Sequence, residues 1–130
     1  MIRILLAALL IPLAMTAAAQ DMKLPEGATT PERVARANGA VLRGLDKVSG
    51  RTTDLPLTVG QAVRFGRLEV RLGECRYPES DPSSDAYAQL TIADLTQNVT
   101  LFSGWMIASS PALSALDDAR YDVWVISCQI

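Results

Sequence analysis

The sequence predicts a small all-β domain, an antiparallel sandwich or barrel with one short helix and one disulfide. From Gly39 onward, short apolar runs alternate with turn residues, and no helical period is sustained. The two cysteines of the chain, Cys75 and Cys128, can form one disulfide. With 130 residues, the chain has room for one domain.

Residues 1–19 are predicted to be a cleavable signal peptide. Arg3 precedes an apolar run over residues 4–15, and Ala17 and Ala19 supply the small residues that a signal peptidase requires. The alternative is an uncleaved membrane anchor, but the apolar run is shorter than the roughly 20 residues of a membrane span. No transmembrane segment is expected after cleavage. We therefore expect a periplasmic protein. A single arginine gives no twin-arginine signal, so no cofactor is expected to be carried across the membrane.

Residues 20–38 are predicted to form a flexible leader, and residues 39–130 the β-domain. The leader is rich in proline, glycine, threonine and alanine, and its apolar residues follow no period that would bury a face. Within it, residues 31–36 have the composition of one helical turn.

The first strands of the β-domain are predicted at residues 40–48 and 52–59. Pro56 lies inside the second run and cannot donate a backbone hydrogen bond, so this strand is expected at the edge of a sheet.

Residues 67–72 show the clearest alternation in the chain. Leu68, Val70 and Leu72 are predicted to point inward. Strict continuation would bury Glu74 and expose Cys75, but a β-bulge at Gly73 would correct the phase.

A further strand is predicted at residues 86–93, where alanine, leucine and isoleucine alternate with polar residues. Residues 99–107 and 121–126 are apolar on both faces, which is typical of central strands. Between them, Ser110 as an N-cap and Pro111 in the first turn predict a short helix.

A structural disulfide between Cys75 and Cys128 is expected in an exported domain of this size. The chain lacks the C-x-x-C spacing of a redox pair. In phase with Trp124 and Ile126, Cys128 would lie on a buried face. The bridge would then connect the last strand to the strand that contains Cys75.

Charge and composition exclude several functions. The chain has 12 basic and 14 acidic residues, a net charge of −2, and no histidine. A nucleic-acid binder that relies on overall positive charge is therefore excluded. Without histidine there is no Ser-His-Asp triad and no histidine-containing zinc site, and two thiolates alone make a poor zinc site, so no metal is expected.

Residues 64–78, 101–113 and 121–128 resemble the domain of unknown function 2155 family of exported bacterial proteins. The resemblance covers residues 39–128. It implies no activity, cofactor or catalytic residue that could be carried over. Members of the family often have a histidine before the Tyr-Asp-Val-Trp stretch, and Asp118 stands at that place here.

A candidate binding rim gathers polar groups beside aromatic side chains between the last two strands. The alternative is that Ser110 caps a helix, the aspartates solvate a turn and the tryptophans fill the core. The predicted rim consists of Trp105, Ser109, Ser110, Asp118, Arg120, Tyr121 and Asp122.

The leading hypothesis for function is a non-enzymatic periplasmic binding or scaffolding domain whose partner is an envelope protein or a glycan. The alternative is a small hydrolase or lyase that acts on cell-wall polymer through a carboxylate pair. Such a pair would be drawn from Glu69, Glu74 and Asp122.

Overall fold

The computed structural model describes residues 33–116 and 118–130, so the predicted signal peptide and most of the predicted leader lie outside the described residues. Within these ranges the chain forms two antiparallel sheets and a short 3₁₀ turn, which confirms the predicted all-β class. The strands are β1 Val34–Arg36, β2 Gly39–Asp46, β3 Arg51–Thr58, β4 Ala62–Phe65, β5 Leu68–Pro78, β6 Tyr87–Asp94, β7 Val99–Ile107 and β8 Tyr121–Gln129, and the 3₁₀ turn is Pro111–Leu113.

The larger sheet has five strands in the order β1-β5-β6-β7, and β4 also pairs with β5. Because β6 occupies one side of β5, β1 and β4 share the other side at opposite ends of this long strand. The smaller sheet has the order β3-β2-β8, so β3 is an edge strand, as Pro56 predicts.

The core lies between the two sheets, where β2 contacts β5 and β8 contacts β6 and β7. The predicted inward set of β5 is fully buried, as are Ala88, Leu90 and Ile92 of β6. Gly44 of β2 faces the ring of Phe65 from the other sheet, and a Cβ at position 44 would lie 2.7 Å from that ring. The sheets approach closely there because position 44 has no side chain.

The predicted bulge and the predicted disulfide are both confirmed. The register of β5 shifts between Leu72 and Glu74, so Cys75 is buried while Glu74 stays partly exposed. Cys75 is bonded to Cys128 with an S–S distance of 2.02 Å. Because β5 and β8 belong to different sheets, the bridge joins the two layers of the domain.

The prediction that residues 99–107 and 121–126 form central strands is wrong. Among the strands that the structure describes, β7 ends the larger sheet and β8 ends the smaller one. Their outward apolar side chains have other neighbours: the guanidinium of Arg76 lies over the Trp105 ring at 5.1 Å, and Trp124 lines a surface cleft.

The prediction that Trp124 and Ile126 lie on the buried face of the last strand is also wrong. The prediction that Cys128 faces the core is confirmed. Val123 and Val125 are buried, whereas Trp124 is half-buried and Ile126 is exposed. A register shift in the pairing of β8 with β2 adds one residue on β8 after Val125. This bulge turns Cys128 toward the core.

Residues 34–36 form strand β1, so the helical turn predicted over residues 31–36 is wrong for them. β1 pairs with the end of β5, and backbone hydrogen bonds flank it on both sides, from Glu79 N to Arg33 O and from Ala37 N to Cys75 O, both 2.8 Å. An isolated helical turn would leave most of these backbone groups without partners. Among the described residues, no helix has the length and apolar character needed to span a membrane.

Candidate functional site

A surface cleft of about 290 Å³ lies where the connection between β7 and β8 meets the start of β8. Its walls are mostly apolar, and the charged side chain among them, Asp122, is engaged by Lys47. The lining residues are Leu45, Pro111, Ala115, Leu116, Asp122, Val123 and Trp124.

Strand pairing brings these residues together from distant parts of the chain. Leu45 of β2 pairs with Asp122 of β8. Trp124 follows Asp122 by two residues, so the two side chains lie on the same outer face of β8. The 3₁₀ turn begins at Pro111, and Leu116 of the same connection is buried against the core. The connection thus forms the second wall of the cleft.

Lys47 ties the rim of the cleft to the connection. Its Nζ lies 3.2 Å from Oδ1 of Asp122 and donates a hydrogen bond of 2.9 Å to the backbone oxygen of Asp118. Both side chains of the ion pair are about two-fifths exposed, so the pair positions the rim more than it stabilises the fold.

Asp118 organises the turn that enters β8. Its Oδ2 accepts hydrogen bonds from the backbone N–H groups of Arg120 and Tyr121, both 2.9 Å. Its Oδ1 accepts from Arg67 at 3.3 Å. Arg120 in turn reaches Asp46 at 3.2 Å, and the hydrogen bond between them lowers the pKa of the Asp46 carboxyl.

The ring of Tyr121 is buried and has two guanidinium groups close to it. Arg67 lies 5.1 Å and Arg120 5.2 Å from its centroid, and the ring of Phe65 meets it edge to face at 5.4 Å. These contacts hold Tyr121 as a structural anchor, since little of its ring is left for a ligand.

The structure brings together only part of the predicted rim. Asp118, Arg120, Tyr121 and Asp122 are adjacent at the start of β8. Ser109 is instead bonded through its N–H and Oγ to Asp85, at 3.0 and 2.7 Å, and Trp105 lies on the outer face of the larger sheet. Ser110 precedes the 3₁₀ turn but makes no side-chain capping bond, so its predicted N-cap contact is absent.

The carboxylates of the hydrolase alternative do not face one another. Glu69 and Glu74 belong to the larger sheet and Asp122 to the outer face of the smaller one. Each has a basic neighbour: Arg71 lies 3.7 Å from Glu69, Arg76 lies 3.1 Å from Glu74, and Lys47 approaches Asp122.

In the part of the chain that the structure describes, no group of three or more cysteine, aspartate and glutamate side chains is placed to hold a metal ion. The Asp85 carboxylate accepts a hydrogen bond from the hydroxyl of Ser109, and the Asp81 carboxylate accepts one from the hydroxyl of Ser83 at 3.1 Å.

Of the cleft residues, the predicted rim contains Asp122 alone. The six that it misses are Leu45, Pro111, Ala115, Leu116, Val123 and Trp124. Leu45 reads as an ordinary strand residue because its position beside β8 depends on a pairing across most of the domain. Sequence reasoning also missed Asp94, a buried carboxylate at the end of β6. Its one sequence signal is the turn composition of residues 96–98 that follow it.

Fold and site define a small two-sheet β-domain with a disulfide between its sheets and an apolar cleft beside an edge strand. The chain belongs to the family described as "Uncharacterized protein conserved in bacteria (DUF2155)", which matches residues 40–128. This confirms the resemblance seen in the sequence.

Among curated proteins, the chain is similar to "Uncharacterized protein RP359" of Rickettsia prowazekii (strain Madrid E), with 28% identity over 94 residues. The match covers 70% of this chain and 60% of the relative, so the chain spans less than two thirds of that protein's length. No solved structure matches the chain.

Proposed function

We propose that this protein is a non-enzymatic periplasmic binding or scaffolding domain of the cell envelope, and that it holds an envelope protein through the cleft beside β8. The observation that carries the proposal is the apolar surface cleft of about 290 Å³, with Trp124 and Leu45 in its walls. Concave apolar sites with few polar groups are the usual form of binding sites, and tryptophan is enriched where partners bind tightly.

The charges around the cleft suit binding better than hydrolysis. A glycoside hydrolase needs two carboxyl groups on either side of the scissile bond, one of them able to donate a proton. Here Asp122 is paired with Lys47, and Glu69 and Glu74 lie on the other sheet. The hydrolase alternative therefore has less support than binding.

The periplasmic location rests on two features. The apolar run over residues 4–15 is typical of an export signal, and the disulfide between Cys75 and Cys128 is of a kind that persists in oxidising compartments. A domain with a cross-linked core is suited to a compartment where cytoplasmic reductants do not act.

The proposal is tested by site-specific photo-crosslinking in living cells. A photoreactive residue replaces Leu113, which is exposed beside the cleft, or Arg71, which is exposed on the larger sheet. We expect a discrete protein adduct from position 113 and none from position 71. In the variant that also carries Ala115→Lys, a charge inside the apolar cleft should abolish the adduct.

Equal labelling from both positions, or an adduct that survives Ala115→Lys, would contradict docking at the cleft. Recovery of the chain alone from every position would contradict a protein partner. Fractionation of the same cells tests the location, since the proposal requires the processed chain in the periplasmic fraction.

A further inference from the structure

We propose that the outer face of the larger sheet binds an acidic polysaccharide, whose carboxylates are held by arginines of β1, β4 and β5 and whose sugar rings contact Trp105. The cleft is lined by strands of the smaller sheet, so this second site is separate from the one in the proposed function. We call it the arginine face, and its charged residues are Arg36, Arg64, Glu69, Arg71, Glu74 and Arg76.

Strand pairing places these six residues on one side of the sheet. On β5, positions 69, 71, 74 and 76 pair with positions 93, 91, 89 and 87 of β6. This regular spacing of two puts the four β5 side chains on the face away from the core. Arg64 pairs with Glu69, and Arg36 pairs with Arg76, so the side chains of β4 and β1 share that face.

At one end of the arginine face, two arginines share one glutamate. Nε of Arg36 lies 3.3 Å from Oε1 of Glu74, and Nη2 of Arg76 lies 3.1 Å from Oε2. Arg36 and Arg76 are also direct cross-strand partners, an arrangement in which like charges repel. Glu74 balances one of the two charges, so a ligand carboxylate would balance the other. The Arg36 side chain is 75% exposed, and its guanidinium has further N–H donors for such a group.

The other end of the face repeats this excess of positive charge. Nη2 of Arg71 lies 3.7 Å from Oε1 of Glu69, and Arg64 is the cross-strand partner of Glu69. β6 and β7 add no exposed charge, since their one charged residue, Asp94, is buried. The β6 partners of the two glutamates are four residues apart, so the two ends are about 13 Å apart. A chain of linked acidic sugars can reach both ends, whereas a single small anion cannot.

Uncharged groups that suit sugars lie beside the arginines. Trp105 is 37% exposed, and the Arg76 guanidinium over its ring holds the indole in place. On the same face Gln89 pairs with Trp105 and Thr91 pairs with Ser103, and these polar residues are exposed. A sugar ring offers apolar C–H surface to an indole, and its hydroxyl groups bond to amide and hydroxyl side chains.

The composition of the face favours a glycan over a protein or a membrane. Protein interfaces have an apolar centre that is depleted of charge, whereas the centre of this face is polar at Gln89, Thr91 and Ser103. Surfaces that recognise anionic lipids carry clusters of about four to eight lysines and arginines. Here Glu69 and Glu74 halve the charge of four arginines, which suits a ligand whose negative charges are spaced along a chain.

The test titrates the chain from residue 20 onward, labelled with ¹⁵N and with its disulfide intact, with a short oligogalacturonate that carries one carboxylate on each sugar. The chain has two tryptophans, so its spectrum has two indole N–H signals, and Trp105→Phe assigns them. We expect a saturable shift of the Trp105 signal at a constant Trp124 signal. A neutral dextran oligomer of equal length should bind about tenfold more weakly or less, and added salt should weaken the binding of oligogalacturonate.

Arg36→Gln and Arg43→Gln form a matched pair of variants. Both arginines are exposed in strands and pair with a carboxylate, but Arg43 belongs to the smaller sheet, where it pairs with Asp54. Arg36→Gln should weaken the binding of oligogalacturonate about fivefold or more, and Arg43→Gln should leave it within about twofold of the unchanged protein. An unchanged Trp124 signal verifies that each variant is folded.

Equal binding of dextran, equal losses in the two variants, or no shift of the Trp105 signal would each overturn the glycan site. Binding to phosphatidylglycerol vesicles without binding to oligogalacturonate would replace the polysaccharide by a membrane surface. These results leave the proposed function untouched, because photo-crosslinking at position 113 reports on a protein at the cleft. A glycan on the arginine face is also consistent with the expected absence of a protein adduct from position 71.

Discussion

Arg67 donates a hydrogen bond from Nε to Oδ2 of Asp94 over 2.7 Å, and the Asp94 side chain is almost completely buried. The other carboxylate oxygen accepts the backbone N–H groups of Thr96 and Gln97, at 2.8 and 3.0 Å. One buried carboxylate thus closes the turn between β6 and β7 and fixes Arg67. The guanidinium of Arg67 also lies over the Tyr121 ring and contacts the Asp118 carboxylate. Arg67 therefore links the start of β8 to the C-terminal end of β6.

The Asp94 contacts predict a specific dependence of stability on pH. The hydrogen bonds from Gln97 and Arg67 lower the pKa of Asp94 in the folded protein. The stabilisation from its ionised form is therefore fully present above the ordinary carboxyl pKa of about 3.9, and it is lost as the pH falls below that value toward the lowered pKa.

Asp94→Asn should lower the free energy of unfolding at neutral pH, and its deficit relative to the unchanged protein should shrink in acid. Urea unfolding over a pH series measures this difference. Asp81→Asn, at an exposed loop position, is the control and should show little difference at any pH. A deficit for Asp94→Asn that stays constant over the whole series would contradict the linkage.

Gly66 has a positive φ of 58° and faces Tyr121, whose hydroxyl a Cβ at this position would strike. Gly66→Ala should therefore cost the strain of a left-handed alanine, about 1–2 kcal/mol, and in addition about 1–3 kcal/mol for displacing the ring. Gly50→Ala is the matched control: its φ is 72°, but no atom lies within 4 Å of the added Cβ. Urea unfolding measures the loss of unfolding free energy in each variant. Equal losses would show that the Tyr121 ring moves aside at no energetic cost.

The disulfide closes a loop with a sequence separation of 53 residues. In the chain-entropy model such a loop contributes about 4 kcal/mol to stability. The double variant Cys75→Ala, Cys128→Ala should lose most of this amount and should melt at a lower temperature. A reducing agent should destabilise the unchanged protein comparably and leave the double variant unaffected; an unchanged melting temperature in the double variant would contradict a stabilising bridge.

Leu42 of β2 is completely buried between the sheets, whereas Leu113 is 76% exposed on the 3₁₀ turn. Leu42→Ala should cost about 2–5 kcal/mol, because it removes apolar contacts and leaves a cavity. Leu113→Ala should stay within about 0.5 kcal/mol of the unchanged protein. Chemical unfolding of both variants checks the assignment of the core, which a small loss for Leu42→Ala would refute.

Much of the fold could be predicted because strand alternation is a local property. The inward set of β5 and that of β6 follow from a period of two residues within each strand. The bulge at Gly73 follows from the conflict between that period and a buried Cys75. The same reasoning failed for β8, where the bulge after Val125 carries no glycine or other signal in the sequence.

The candidate site could be predicted only in part. The polar turn before β8 is contiguous in sequence, so Asp118, Arg120, Tyr121 and Asp122 were found together. Nearness in sequence predicts Trp105 in the same rim, yet its ring packs under Arg76 on the larger sheet. Strand order decides such neighbours, and it depends on which distant segments pair.

By itself, the sequence determined the all-β class and the inward faces of β5 and β6, because alternation is a property of short segments. It also determined the disulfide between Cys75 and Cys128, because two cysteines allow only one pairing. Only the tertiary structure decided that β7 and β8 are edge strands and that Leu45 lies beside Asp122 in an apolar cleft. These features arise from pairing between residues 39–46 and 121–129, and pairing at that distance is selected by the free energy of the whole packed domain.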